Sequence, residues 1–109
     1  MLYPGLPTHP GHAIAARQMR YTGCVLSFDL ADKAAAETFL ASSKLITEST
    51  SFGGTCTYAE RRARWGGDAV PEGFIRLSAG LEHIDDLLAD IAQALDAVST
   101  AAVTPTAVR

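Results

Sequence analysis

Arg76, in the segment FIRLSA, carries the clearest chemistry in this chain. A period of two puts Phe74, Arg76 and Ser78 on one face of a strand and Ile75, Leu77 and Ala79 on the other. The apolar trio belongs against a core. Arg76 then projects from the opposite face between an aromatic ring and a hydroxyl. A guanidinium is a planar fork of donors suited to a carboxylate. The same spacing also describes an ordinary sheet-surface arginine paired with a neighbouring acid. Upstream, Ser51, Phe52, Gly53 and Gly54 form a serine followed by a double-glycine break. Such glycines mark a turn or a bulge, and they also permit close backbone approach to a bound group.

Other reactive side chains form weaker patterns. Arg61, Arg62 and Arg64 cluster beside Trp65, a pattern of a solvated loop or an intersubunit salt-bridge patch, or of a phosphate contact. No phosphate-binding glycine loop of the G-x-x-x-x-G-K-[ST] type is present. His9 and His12 have i, i+3 spacing, but no cysteine or acid stands at a fitting distance, so no metal site is expected. Cys24 alternates into the apolar face of its strand and reads as core, whereas Cys56 follows the glycines with no histidine paired to it.

The elements that must position these residues follow from the hydrophobic periods. LYPGLP is an extended, turn-rich entry, because proline fixes φ and biases the residue before it. Thr8 is a candidate N-cap for a short helix reaching Met19. TGCVLSFDL alternates, with Cys24, Leu26, Phe28 and Leu30 on the buried face. Asp32 caps an amphipathic helix carrying Ala36, Phe39 and Leu40. KLITEST and TCTY predict short strands, and FIRLSA predicts the last one. A long helix follows, with Ile84, Leu87, Leu88, Ile91, Leu95 and Val98 as its stripe. Asp85, Asp86, Asp90, Gln93 and Asp96 are expected to face water, and Glu82 to suit the helix N-terminus electrostatically. Residues 1–98 are expected to form one domain, and 99–109 a flexible tail without pattern. The fold class is α+β: a small, mainly antiparallel sheet with helices packed on one face. The other face calls for cover by a partner, another domain or a ligand.

Composition bounds the function. The chain has 109 residues, 48% of them hydrophobic and 19% charged, with a formal net charge of -3. That suits one domain with its own core, and no polyanion such as nucleic acid. No stretch approaches the roughly 18 apolar residues of a membrane span, and the N-terminal residues lack the pattern of a secretory signal. With two cysteines and no export signal, free thiols and a cytoplasmic location are expected.

Several motifs together resemble the C-terminal domain of the Cys/Met-metabolism PLP-dependent enzymes, the cystathionine γ-lyase, cystathionine γ-synthase and methionine γ-lyase type. YPGLPTHPGHAIAARQM looks like the segment that opens that domain. TGCVLSFDL resembles the strand that follows, SFGG the family's Ser-Leu-Gly-Gly turn, and GFIRLSAGLEHIDDLLADIAQAL its closing strand and helix. The likeness runs from Leu2 to Leu95. It implies that Arg76 binds the substrate α-carboxylate and that Ser51 lies near the cofactor lysine and the substrate. It implies pyridoxal 5'-phosphate as the family cofactor and a sulfur-containing amino acid as substrate.

Departures from the family pattern limit what carries over. Thr50 stands where the family often has glutamate, Thr55, Cys56 and Thr57 replace the usual residues after the glycines, and the family's Pro-x-x-Met-Thr-His stretch is missing. Reaction preference therefore does not carry over. The family's Schiff-base lysine lies in a separate large domain. Here Lys33 and Lys44 are the only lysines, and neither stands in that motif. The chain alone is therefore expected to be inactive and not to bind the cofactor, having no catalytic residue of its own. It would need a PLP-binding domain in trans, or form a homo-oligomer. The alternatives are a non-catalytic interaction module, pairing with itself or an intact homologue through its open sheet face and the Trp65 loop, and a small carboxylate binder using Arg76 alone.

Overall fold

The computed structural model describes residues 1–108, with side chains through Ala101. A four-stranded sheet is built from β1 (Val25–Asp29), β2 (Thr47–Glu48), β3 (Tyr58–Arg61) and β4 (Phe74–Ser78) in the order β1-β4-β3-β2. β4 runs antiparallel to both its neighbours, and β2 pairs parallel to β3. Three helices accompany it: α1 (His12–Gln18), α2 (Lys33–Ser42) and α3 (Ile84–Val108). The α+β class and the mainly antiparallel sheet are as the hydrophobic periods predict.

The core lies between the sheet and the helix pair α2 and α3. Ala59, Ile75 and Leu77 from the strands meet Ala36, Phe39 and Leu40 of α2 and Leu87 and Ala94 of α3. Phe39 and Ile75 are fully buried, and the Phe39 ring meets Phe28 edge to face at 5.4 Å. Asp32 starts α2 by accepting a hydrogen bond from the Ala35 backbone N–H at 2.8 Å. The connection into β4 requires Gly73, because a Cβ there would overlap the carbonyl oxygen of Leu30. The N-terminal segment extends the sheet edge, with Leu2 and Ser27 exchanging two backbone hydrogen bonds.

Several sequence expectations are corrected. α1 begins at His12 rather than at Thr8, and its N-cap Gly11 brings no capping side chain. Successive turns occupy the residues before it, with His9 N–H donating to Leu6 and His12 N–H to His9. Strand β3 starts at Tyr58, so TCTY is mostly loop and the first part of the basic cluster is strand. Thr57, just before it, has its backbone N–H and hydroxyl held by the Glu82 carboxylate at 2.8 and 2.6 Å. Glu82 is thus a clamp on that loop. Arg62–Trp65 form a 3-10 turn instead of an open loop. Cys24 is exposed rather than core. Gly23, at φ +89°, turns the chain just before β1, and Cys24 Sγ ends 3.7 Å from Ser78 Oγ.

α3 is rolled relative to the expected stripe. Leu87 and Ala94 are buried and Ile91 and Val98 pack beside them, but Ile84, Leu88 and Leu95 are 60%, 57% and 39% exposed. Asp90, expected in water, is 5% exposed. The small Ala94 and the hydrogen-bonding Asp90 lie on the inward face, while Ile84, Leu88 and Leu95 of the expected stripe turn outward. α3 also continues past Val98, where the sequence pattern predicts the tail 99–109, to Val108.

Candidate functional site

β4 is central, and its face away from the helices carries Arg76 and Ser78. Arg76 stands between Ser27 of β1 and Glu60 of β3 in the sheet register. The segment joining β2 to β3 folds over this face. Arg76 Nη2 donates to the Thr50 carbonyl at 2.5 Å, and Ser78 Oγ accepts from the Gly53 backbone N–H at 2.8 Å. Two residues of the same parity on one strand therefore hold one turn. The turn itself needs glycine: Gly53 has φ +74°, and a Cβ on Gly54 would come within 2.9 Å of the Tyr58 ring.

The turn supplies an aromatic neighbour. The Arg76 guanidinium carbon lies 5.1 Å from the centre of the Phe52 ring, which is 65% exposed. Ser51 lies between Thr50 and Phe52, the two residues that contact Arg76. Its backbone N–H donates to Ser49 Oγ at 3.1 Å, and its hydroxyl has no hydrogen-bond partner among the described residues. The structure thus brings the Ser51 turn onto Arg76, the two features the sequence singles out. The Nε and Nη1 donors of Arg76 have no partner among the described residues. A half-buried guanidinium with free donors, an aromatic face and a hydroxyl-bearing turn can receive a small carboxylate.

Glu60 was not singled out from sequence. It is 3% exposed, its Oε1 accepts from Arg62 Nη1, and its Oε2 lies 3.9 Å from Arg76 Nη2 with no hydrogen bond. Arg62 in turn binds Asp68 through Nε at 2.7 Å. Hydrogen bonds to Asp68 and then to Glu60 raise the Arg62 pKa above its ordinary value. The available signal was register: placing β3 at Tyr58–Arg61 sets Glu60 directly across from Arg76.

The rest of the basic cluster is also paired within the chain. Arg61 Nη1 donates to the carbonyl and the carboxylate of Glu72, each at 3.3 Å. Arg64 pairs with Glu48 at 3.3 Å and lies 4.9 Å from the Trp65 ring centre. The histidines serve local turns: His9 Nδ1 accepts from Gly11 N–H, and His12 Nδ1 lies 2.8 Å from the Pro4 carbonyl. Among the described residues no cluster of histidine, cysteine and carboxylate side chains could hold a metal ion.

Pyridoxal phosphate would need an amine, a flat ring to stack on and an anion cradle in one place. Lys33 and Lys44 are both exposed and open on separate cavities, one with Glu37, Leu40, Glu48, Arg61 and Arg64, the other with Leu45 and α3 residues. Among the described residues no aromatic ring lines either cavity. The two lysines therefore do not fit the cofactor's requirements.

Comparison with known proteins gives these residues a setting. The family model described as Cys/Met metabolism PLP-dependent enzyme matches residues 1–96. A Streptomyces coelicolor protein provisionally named cystathionine gamma-lyase is 58% identical over 94 residues, covering 86% of this chain and 24% of that protein. A Mycobacterium leprae cystathionine gamma-synthase is 42% identical over 104 residues, covering 88% and 27%. The crystal structure of cystathionine gamma synthase from Xanthomonas oryzae pv. oryzae in complex with cystathionine superposes with a TM-score of 0.83 at 34% identity, covering 90% of this chain and 28% of that one. The chain thus spans about a quarter of the length of the curated relatives it matches.

Proposed function

Because the chain belongs to the Cys/Met metabolism PLP-dependent enzymes, we propose that residues 1–98 act as the C-terminal small domain of a cystathionine γ-lyase or γ-synthase type enzyme. In this reading Arg76 binds the α-carboxylate of a sulfur-containing amino acid, and Ser51 contributes from the turn above it. The observation that carries the reading is the state of Arg76. One of its nitrogens is anchored to Thr50, the others are free of partners among the described residues, and the Phe52 ring lies alongside. A PLP-binding domain, in the same longer chain or in trans, supplies the lysine and the cofactor chemistry. Without it, the 109 residues are inactive and bind no PLP. The proposed location is the cytoplasm, where the free thiols of Cys24 and Cys56 stay reduced. No helix of the described residues is long and apolar enough to cross a membrane.

A chimera tests this. Residues 1–98 replace the matching segment of the Streptomyces coelicolor relative, and PLP loading and turnover of L-cystathionine are measured. The chimera is expected to be active. Arg76→Ala within it should raise KM about 100-fold, as loss of a charge-assisted contact does. A chimera that folds and loads PLP, yet is indifferent to Arg76→Ala, refutes the assignment. The 109-residue chain alone, incubated with PLP and reduced with borohydride, should show no stoichiometric pyridoxyl-lysine.

One observation favours the second reading, an interaction module. Leu81, Ile84, Leu88 and Leu95 leave an exposed apolar stripe along α3 and its approach. Sedimentation velocity of the chain without PLP, alone and mixed with the Streptomyces coelicolor relative, decides it: a stable homo-oligomer or a mixed complex supports the module, and a chain monomeric in both removes it.

A further inference from the structure

We propose that Glu60 is a positioning residue that fixes the orientation of Arg76 before a carboxylate arrives. The proposal rests on the reading of Arg76 as the carboxylate binder.

Glu60 is a buried carboxylate with unequal oxygens. Oε1 accepts from Arg62, while Oε2 is the only buried side-chain oxygen or nitrogen without a hydrogen bond among the described residues. A buried acceptor left unsatisfied is costly, so its surroundings bear on what it does. Among the described residues those surroundings hold one cation besides Arg62. Arg76 Nη2 is 3.9 Å from Oε2, directly across the β3–β4 ladder. That separation is too long for a hydrogen bond, but the attraction is strong where one partner is excluded from water. Thr50 and Glu60 both act on Nη2, and both leave Nε and Nη1 unengaged.

The charges form a row of alternating sign: Asp68, Arg62, Glu60, Arg76. Its inner members are tied, Arg62 by both Asp68 and Glu60. Its open end is the guanidinium of Arg76, and an incoming carboxylate takes the next place. Arg62 neutralises Glu60, so the glutamate can hold Arg76 without cancelling its attraction for an anion. An arginine already held in place loses less side-chain freedom on binding.

The test is nitrogen-15 NMR of the arginine Nε–Hε groups in the full 109-residue chain, with L-methionine as the carboxylate probe and Arg76→Lys to assign the Arg76 signal. In the native chain the Arg76 group should be markedly more ordered than that of exposed Arg20. Glu60→Gln should lower its order measurably, to a level still above Arg20 because Thr50 keeps its hold on Nη2, and weaken L-methionine binding by up to about fivefold, the range of a single partly exposed ion pair. Glu60→Asp should restore part of both. If Glu60 were only a nearby negative charge, Glu60→Gln would tighten binding instead, and that result overturns the proposal. So does an Arg76 as mobile as Arg20 in the native chain, a measurement that holds even if the glutamine variant does not fold. If Arg76 is ordered through Glu60 but L-methionine leaves its signal unmoved, the positioning stands and the carboxylate-binding reading fails.

Discussion

Asp90 of α3 accepts a hydrogen bond from the backbone N–H of Leu45 at 2.8 Å, tying the long helix to the chain leaving α2. The same carboxylate accepts from Lys44 N–H at 2.9 Å and from Gln93 Nε2 at 3.0 Å. Burial pushes the Asp90 pKa up, but the hydrogen bonds from Leu45, Lys44 and Gln93 outweigh it, and the net shift is downward. A depressed carboxyl contributes stability that is fully present above its unfolded pKa, about 4, and is lost as pH falls through the lower folded value. Glu82 acts in the same direction, lowered chiefly by its hydrogen bonds from the Thr57 hydroxyl and N–H. The urea midpoint should therefore be steady near neutral pH and fall below pH about 4. Asp90→Asn should flatten that fall. Asp90→Ala should cost about 3 kcal/mol at neutral pH, because two backbone donors lose their acceptor.

Ser78→Ala should release the turn above Arg76. Ser78 is 1% exposed and its hydroxyl is the acceptor for Gly53 N–H. The cost in stability should be about 1 kcal/mol. The more telling readout is hydrogen exchange, which should quicken at the Gly53 amide while the β1–β4 ladder stays protected.

Gly73→Ala should destabilise by about 1–3 kcal/mol, the usual range for overpacking. The obstructing atom is the backbone oxygen of Leu30, whose own N–H donates to the Gly73 carbonyl at 2.9 Å, so neither strand end can shift without losing that bond. Gly67→Ala makes the comparison, since nothing lies near its added Cβ. Thermal unfolding of the two variants should separate them clearly.

Phe39→Ala should cost about 3–5 kcal/mol. The ring is completely buried between the helix pair and the sheet and packs edge to face on Phe28. The urea midpoint measures it. A loss below 1 kcal/mol would mean that the core collapses around the vacancy.

Alternation in FIRLSA was enough to place Ile75 and Leu77 in the core and Arg76 opposite them, and Asp32, Ala36, Phe39 and Leu40 were legible from helical spacing and capping chemistry. What escaped depends on partners far along the chain. Glu60 matters because of its register against a strand sixteen residues on (76 minus 60), which no local period encodes. Asp90 is buried because a loop some forty-five residues earlier presents it with free N–H donors. On α3 two apolar faces compete, and the choice fell to the one where a small alanine lets the helix approach, leaving larger leucines outside. Thr8 failed as a cap because the prolines and glycine around it close tight turns before a helix can start.

β4 is the last of the four described strands and lies in the middle of the sheet, joining β1 on one side to β3 on the other. During synthesis β1, β2 and β3 all leave the ribosome before the strand that unites them. Until then two sheet fragments wait with open edges, a slow, non-local closure that exposes them to wrong pairing. Arg76 rides on that uniting strand, so its contacts with Thr50, Phe52 and Glu60 are assembled in the same step that closes the sheet. A nascent chain whose β4 has not yet paired therefore lacks the facing of Arg76 and Glu60 across the ladder.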